Sequence, residues 1–139
     1  MGASAATARS QQLRHPPGRA GAGPLVAIAA FGGLWLVAAL VAGVPRWTAG
    51  LYGVASLVCF MAYAQDKSAA RRGGWRTSES SLLLLGLVGG WPGAILAQRW
   101  LRHKSSKVSF QAAFRATVLL NVGAFATLAV ARHRGWVTW

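Results

Sequence analysis

Four stretches of this chain carry no charged residue: Pro24 to Val44 (21 residues), Trp47 to Gln65 (19), Ser80 to Gln98 (19) and Ala116 to Ala131 (16). A bilayer core of roughly 30 Å demands about 18 or more apolar residues from a spanning helix. With 139 residues so divided, little chain is left over for a soluble domain. The expected fold class is an all-α integral membrane protein, a small bundle of three to four transmembrane segments.

The charge that remains is lopsided: fifteen Lys and Arg against two acids, a net +13. In a soluble protein that balance would point to nucleic acid. In a membrane protein it has a simpler cause, because Lys and Arg collect in cytoplasmic loops and set orientation while acids hardly matter. Cys59 is the single cysteine and lies inside an apolar block. It can form no internal disulfide and no thiolate pair for a metal, so a small packed side chain is expected.

Residues 1–23 are rich in Ala, Gly, Ser, Gln, Pro and Arg without apolar period. They read as a disordered, basic cytoplasmic tail, followed by a membrane domain over 24–139. Arg9, Arg14 and Arg19 precede the first apolar block as in a signal-peptide n-region. That block exceeds the usual h-region of about 7–15 residues, so an uncleaved anchor is expected.

The first helix is expected over about Leu25 to Val44, with Pro24 at its start, where a missing N–H costs nothing. The short link at Pro45 and Arg46 sends a second helix, about Thr48 to Ala64, back antiparallel beside it. Gly50, Gly53 and Ser56 would let a neighbouring backbone approach that helix. A loop is expected over Gln65 to Ser80, and a last helix over about Phe114 to Ala131. Trp47, Trp75, Trp100, Trp136 and Trp139 fall near predicted ends, where an indole prefers the headgroup layer.

The third block is interrupted at its middle by Gly89, Gly90, Trp91, Pro92 and Gly93. Proline removes a helical hydrogen bond and crowds the preceding turn, and non-helical backbone at membrane depth must be buried in protein or line a watery cavity. The block is therefore either a kinked span or two half-helices that re-enter on the side they came from. With the N-terminus cytoplasmic, four full spans leave nine Lys and Arg inside and six outside; re-entry leaves twelve inside and three outside. The positive-inside rule favours re-entry.

Few residues could carry chemistry. Asp66 and Glu79, the only acids, flank one loop. They suit an acid–base pair or proton relay, or counter-charges for Lys67, Arg71, Arg72, Arg76, Arg102 and Lys104, which is the expected role. Arg99, Arg102, Lys104 and Lys107 form a basic run after the third block, a pattern typical of headgroup contact. His103, inside that run, has no second ligand at a metal spacing, and no metal or other cofactor is implied. Asn121 is the strongly polar residue of the last helix, and an interhelical hydrogen bond is its expected use. No Ser-His-Asp set, phosphate-binding glycine loop or HExxH occurs.

Taken together, Asp66-Lys67, then Arg76-Thr77-Ser78-Glu79, then Gly89-Gly90-Trp91-Pro92-Gly93-Ala94, then His103-Lys104-Ser105-Ser106-Lys107-Val108-Ser109-Phe110 form a pattern. It resembles a bacterial inner-membrane family catalogued as domain of unknown function 1294. The likeness extends over about Leu51 to Val122. Some relatives carry a cold-shock domain ahead of this membrane domain. Residues 1–23 are too short for that barrel, so nucleic-acid contact by that route is not implied. The resemblance implies location and architecture and supplies no reaction.

The resulting expectation is a small multi-pass membrane protein, N-terminus cytoplasmic, non-enzymatic. Asp66, Lys67, Arg76, Glu79, Arg102, His103, Lys104 and Lys107 would form a charged cytoplasmic layer. Glu79 would pair across the loops with Arg102, His103 or Lys104. Anionic lipid headgroups are the expected partner, with a second copy, another membrane protein or nucleic acid as further candidates. The alternatives are an oligomeric transporter or channel subunit built on the broken segment Gly89, Gly90, Pro92 and Gly93, and a lipid-acting enzyme using Asp66, Glu79 and His103.

Overall fold

The structure is a computed structural model and describes residues 21–101 and 107–138. The tail over 1–20 and the positions Arg102, His103 and Lys104 lie outside the described residues. Among the described residues five α-helices occur: α1 (Gly23–Val41), α2 (Trp47–Arg72), α3 (Glu79–Leu85), α4 (Trp91–Leu101) and α5 (Val108–His133). A wide turn over Gly86–Gly90 joins α3 to α4. Among the described residues four stretches are long and apolar enough to cross a membrane: α1, α2, α5 and the joined segment Glu79–Leu101.

Helix α1 starts with Pro24 in its first turn and ends at Val41, and Gly43 just beyond it, at φ 62°, lets the chain turn at once into α2. Trp35 donates its indole N–H to Thr48 Oγ1 at 2.9 Å, and Thr48 donates to Pro45 O at 2.7 Å. The link is thus tied to both helices. On the same end Arg132 Nε donates to Ala42 O and Gly43 O, each at 3.0 Å. A guanidinium on the open carbonyls of a helix C-terminus also complements its dipole.

Helix α2 runs eight residues past the expected end at Ala64, so the loop expected from Gln65 begins only at Gly73. Residues Gln65 to Arg72 include good helix formers, Gln, Lys, Ala and Arg. Gly73, at φ 67°, then stops the helix with its N–H and that of Gly74 on Ala69 O. Helix α5 likewise begins earlier than expected, at Val108.

The broken third block is the centre of the packing. From the end of the wide turn into α4, Gly89 meets Tyr52, Gly90 meets Ala55 and Cys59, Gly93 meets Ser56, Gln98 meets Tyr63, and Leu101 meets Lys67. Both sets of numbers rise together, so α4 runs parallel to α2. Six residues join α2 to α3, a reach of at most about 25 Å. Helix α3 must therefore start near the C-terminal end of α2 and run the other way. Helix α5 agrees: Glu79 meets Lys107 and Gly86 meets Phe114 and Thr117, whereas Trp91 meets Asn121 and Gln98 meets Gln111. Helix α3 thus runs with α5 and α4 against it. The chain reverses between Gly86 and Trp91, and this helical hairpin is wedged between α2 and α5.

The buried side chains are gathered on this wedge. Tyr63, Leu82, Trp91, Ala94 and Ala97 are at most 1% exposed, while the outward faces of α1, α2 and α5 keep large apolar residues exposed. That inside-out pattern is what lipid allows, since hydrocarbon makes no demand for apolar burial between helices.

Candidate functional site

Two features stand out: the hairpin tip deep in the bundle, and the polar end that carries Lys67, Glu79, Leu101 and Lys107.

At the tip, Gly89 has φ 121°, a conformation L side chains rarely adopt. A Cβ on Gly93 would lie 1.8 Å from Ser56 O, and one on Gly90 would lie 2.7 Å from Ala55 O. These glycines bring the α4 backbone onto α2. Gly50 and Gly53, expected to serve that purpose from the α2 side, have nothing within 4 Å of a built Cβ. Close approach instead uses the glycines of the broken block with Ser56. Pro92 stands at the start of α4, where its absent N–H leaves no helical bond unmade.

Asn121, midway along α5, closes the tip. Its Oδ1 accepts from Tyr52 Oη–H at 2.9 Å and from Trp91 Nε1–H at 3.2 Å, and its Nδ2 donates to Leu87 O at 2.7 Å. One amide thereby joins α2, α4, α5 and a carbonyl of the wide turn. Phe31 fills the space beside it, with ring centroids 4.9 Å from Tyr52, 5.1 Å from Trp91 and 5.4 Å from Phe125.

At the polar end, Tyr63, Gln98 and Gln111 form a chain: Gln98 Nε2 donates to Tyr63 Oη at 3.2 Å, and Gln111 Nε2 donates to Gln98 Oε1 at 2.7 Å. Asp66 follows Tyr63 by three residues on the buried face of α2 and is 1% exposed. It belongs to the helix rather than to the expected loop. Lys67 Nζ donates to Leu101 O, a cation on the C-terminal carbonyls of α4. Ser78 caps α3 through Ser81 N–H at 3.2 Å, and Glu79 lies in its first turn. Glu79 pairs with Lys107 at 2.6 Å. The pair joins the start of α3 to the residue before α5; the partners expected for Glu79, Arg102, His103 and Lys104, lie outside the described residues. Arg71, Arg72 and Arg76 are exposed, Trp75 fully so. Among the described residues no group of three His, Cys, Asp or Glu could hold a metal ion.

Tyr63, Gln98 and Gln111 were not singled out from the sequence. The available signal was that Gln98 closes an apolar block and Gln111 follows the basic run, one helical turn short of Arg115.

Residues 56–110 match the family model described as Protein of unknown function (DUF1294). The match is narrower than the likeness expected over 51–122, and it starts at Ser56, where Gly93 touches α2, and ends at Phe110, which packs on Tyr63. The DUF1294 match thus takes in the hairpin and the two helix ends that hold its mouth. Tyr52 and Asn121, which hold the tip, fall outside it. No curated protein and no solved structure matches the chain.

Proposed function

We propose that this is a small, non-enzymatic multi-pass protein of a bacterial inner membrane, N-terminus cytoplasmic, that uses a re-entrant hairpin to gather a cationic surface for anionic lipid headgroups. The observation that carries the reading is the opposed direction of α3 and α4 against α5. In a bilayer, such a hairpin enters and leaves by one face. Lys67, Arg71, Arg72, Arg76, Arg99, Lys107 and Arg115 then share that face, and Arg46, Arg132 and Arg134 take the other. This division also agrees with the positive-inside rule, which sets the sidedness. Cations at the edge of a bilayer attract anionic headgroups by about 1 kcal/mol each.

The filled tip speaks against a transporter. Sites in broken-helix transporters need open space before a half-helix, and here Phe31, Tyr52 and Asn121 occupy it. Catalysis by the acids finds little support: Asp66 is buried along α2 while Glu79 is held by Lys107.

The test is thermal unfolding of the purified protein in neutral detergent with added phosphatidylglycerol or phosphatidylcholine. The reading expects a higher unfolding temperature with phosphatidylglycerol alone, shrinking as salt rises. Equal shifts from both lipids would contradict it.

A further inference from the structure

We infer that the end of α2 and the turn from it to α3 are the headgroup seat itself: Arg71, Arg72 and Arg76 hold the phosphate of an anionic phospholipid while Trp75 enters the headgroup layer. The inference rests on the lipid reading above and narrows it to one surface.

Four observations lead there. First, the cations of this end are not equivalent. Lys67 is spent on Leu101 O, Lys107 on Glu79, and Arg99 donates to Gly21 O at 3.0 Å. Arg71, Arg72 and Arg76 are exposed, and among the described residues no carboxylate pairs with them.

Second, Trp75 is 100% exposed between these arginines. Fully exposing an indole to water is costly, whereas the headgroup layer suits its apolar body and N–H.

Third, the height is right. The charge-free part of α2 ends at Gln65 and the helix continues to Arg72, which adds about 10 Å. The turn must then descend to Ser80, where the next charge-free block starts. Arg71 and Arg72 therefore stand at the outer edge of the headgroup region, and Trp75 and Arg76 come down into it. The long arginine stems cover the remaining distance.

Fourth, guanidinium groups match phosphate oxygens two at a time, which an ammonium does not. This turn uses arginine alone. An indole that stands at lipid height suits the headgroup layer before any partner in water, so the phospholipid is the favoured occupant.

The experiment is native mass spectrometry of the full chain in neutral detergent, counting bound lipid against added cardiolipin, phosphatidylglycerol or phosphatidylcholine. Wild-type protein is expected to retain the two anionic lipids in preference to phosphatidylcholine. Each arginine replaced should weaken that retention about fivefold. The variant carrying Arg71→Gln, Arg72→Gln and Arg76→Gln should lose it on the order of 100-fold. Trp75→Ala should weaken it too, and Arg134→Gln, on the opposite end, should not. Because the three arginines are exposed, lipid-free unfolding should be unchanged; if the triple variant does not fold, Arg76→Gln alone is read, at about fivefold.

Anionic preference in wild type that persists in the triple variant overturns the seat and leaves the broader reading standing. No anionic preference in wild type removes both. A fluorescent RNA oligomer whose binding is lost in the triple variant, with lipid retention intact, would replace the phospholipid by nucleic acid.

Discussion

Gly93 is the residue on which the packing turns. Its Cα lies against the Ser56 carbonyl so closely that a single methyl group would need 1.8 Å where no atom fits. Gly93→Ala should therefore force α4 away from α2 and lower stability by about 3 kcal/mol or more. Gly123→Ala offers the contrast, because nothing lies within 4 Å of a Cβ built there. In the interior of α5 that change should be neutral or stabilising by about 0.5–1 kcal/mol. Unfolding temperatures of the two variants in one detergent decide this, and a harmless Gly93→Ala would contradict the close approach. Asn121→Leu removes three hydrogen bonds and leaves Tyr52, Trp91 and Leu87 O without a partner there. Interhelical bonds in membranes average roughly 0.6 kcal/mol, so a loss of about 2 kcal/mol is expected. Tyr52→Phe should cost measurably less in the Asn121→Leu background than in wild type, and strict additivity would show that the two do not interact.

Among the elements, the hairpin depends on its mouth as well as on its tip. Glu79 and Lys107 have side chains 40% and 54% exposed, so their pairing should be modest, below about 1 kcal/mol. Glu79→Lys should destabilise by about that amount, and adding Lys107→Glu should restore part of it. A double-mutant cycle with no coupling energy would mean that the pair does not hold α3 to α5. How much of this was legible in the sequence differs from element to element. The charge-free blocks gave α1, α2, α5 and the joined α3–α4 segment, because bilayer thickness sets a length that composition must meet. The break was legible at Gly89 to Gly93, since proline and clustered glycines leave few helical alternatives. The helix ends were not, because charge marks where lipid stops rather than where a helix stops: α2 carries Asp66, Lys67, Arg71 and Arg72 beyond its apolar block. Asn121 was legible as a bonding residue, yet its partners were not, because pairing across helices depends on the register set by Gly93 on Ser56. The Tyr63–Gln98–Gln111 chain was invisible for the same reason.

At the scale of the molecule, the described residues form three long helices surrounding a buried reversal, with polar groups collected at the end where that reversal opens. Everything proposed for its surface depends on both ends of Glu79–Leu101 lying on one side of the bilayer. Cysteine scanning in intact cells tests this most directly. In a Cys59→Ala background, single cysteines at Ser80, Ser109 and Thr138 are challenged with a membrane-impermeant maleimide. We predict that Ser80→Cys and Ser109→Cys are both protected until the membrane is permeabilised, while Thr138→Cys reacts at once. Immediate reaction at Ser109→Cys with protection at Ser80→Cys and Thr138→Cys would mean that the third segment crosses, and would contradict the account.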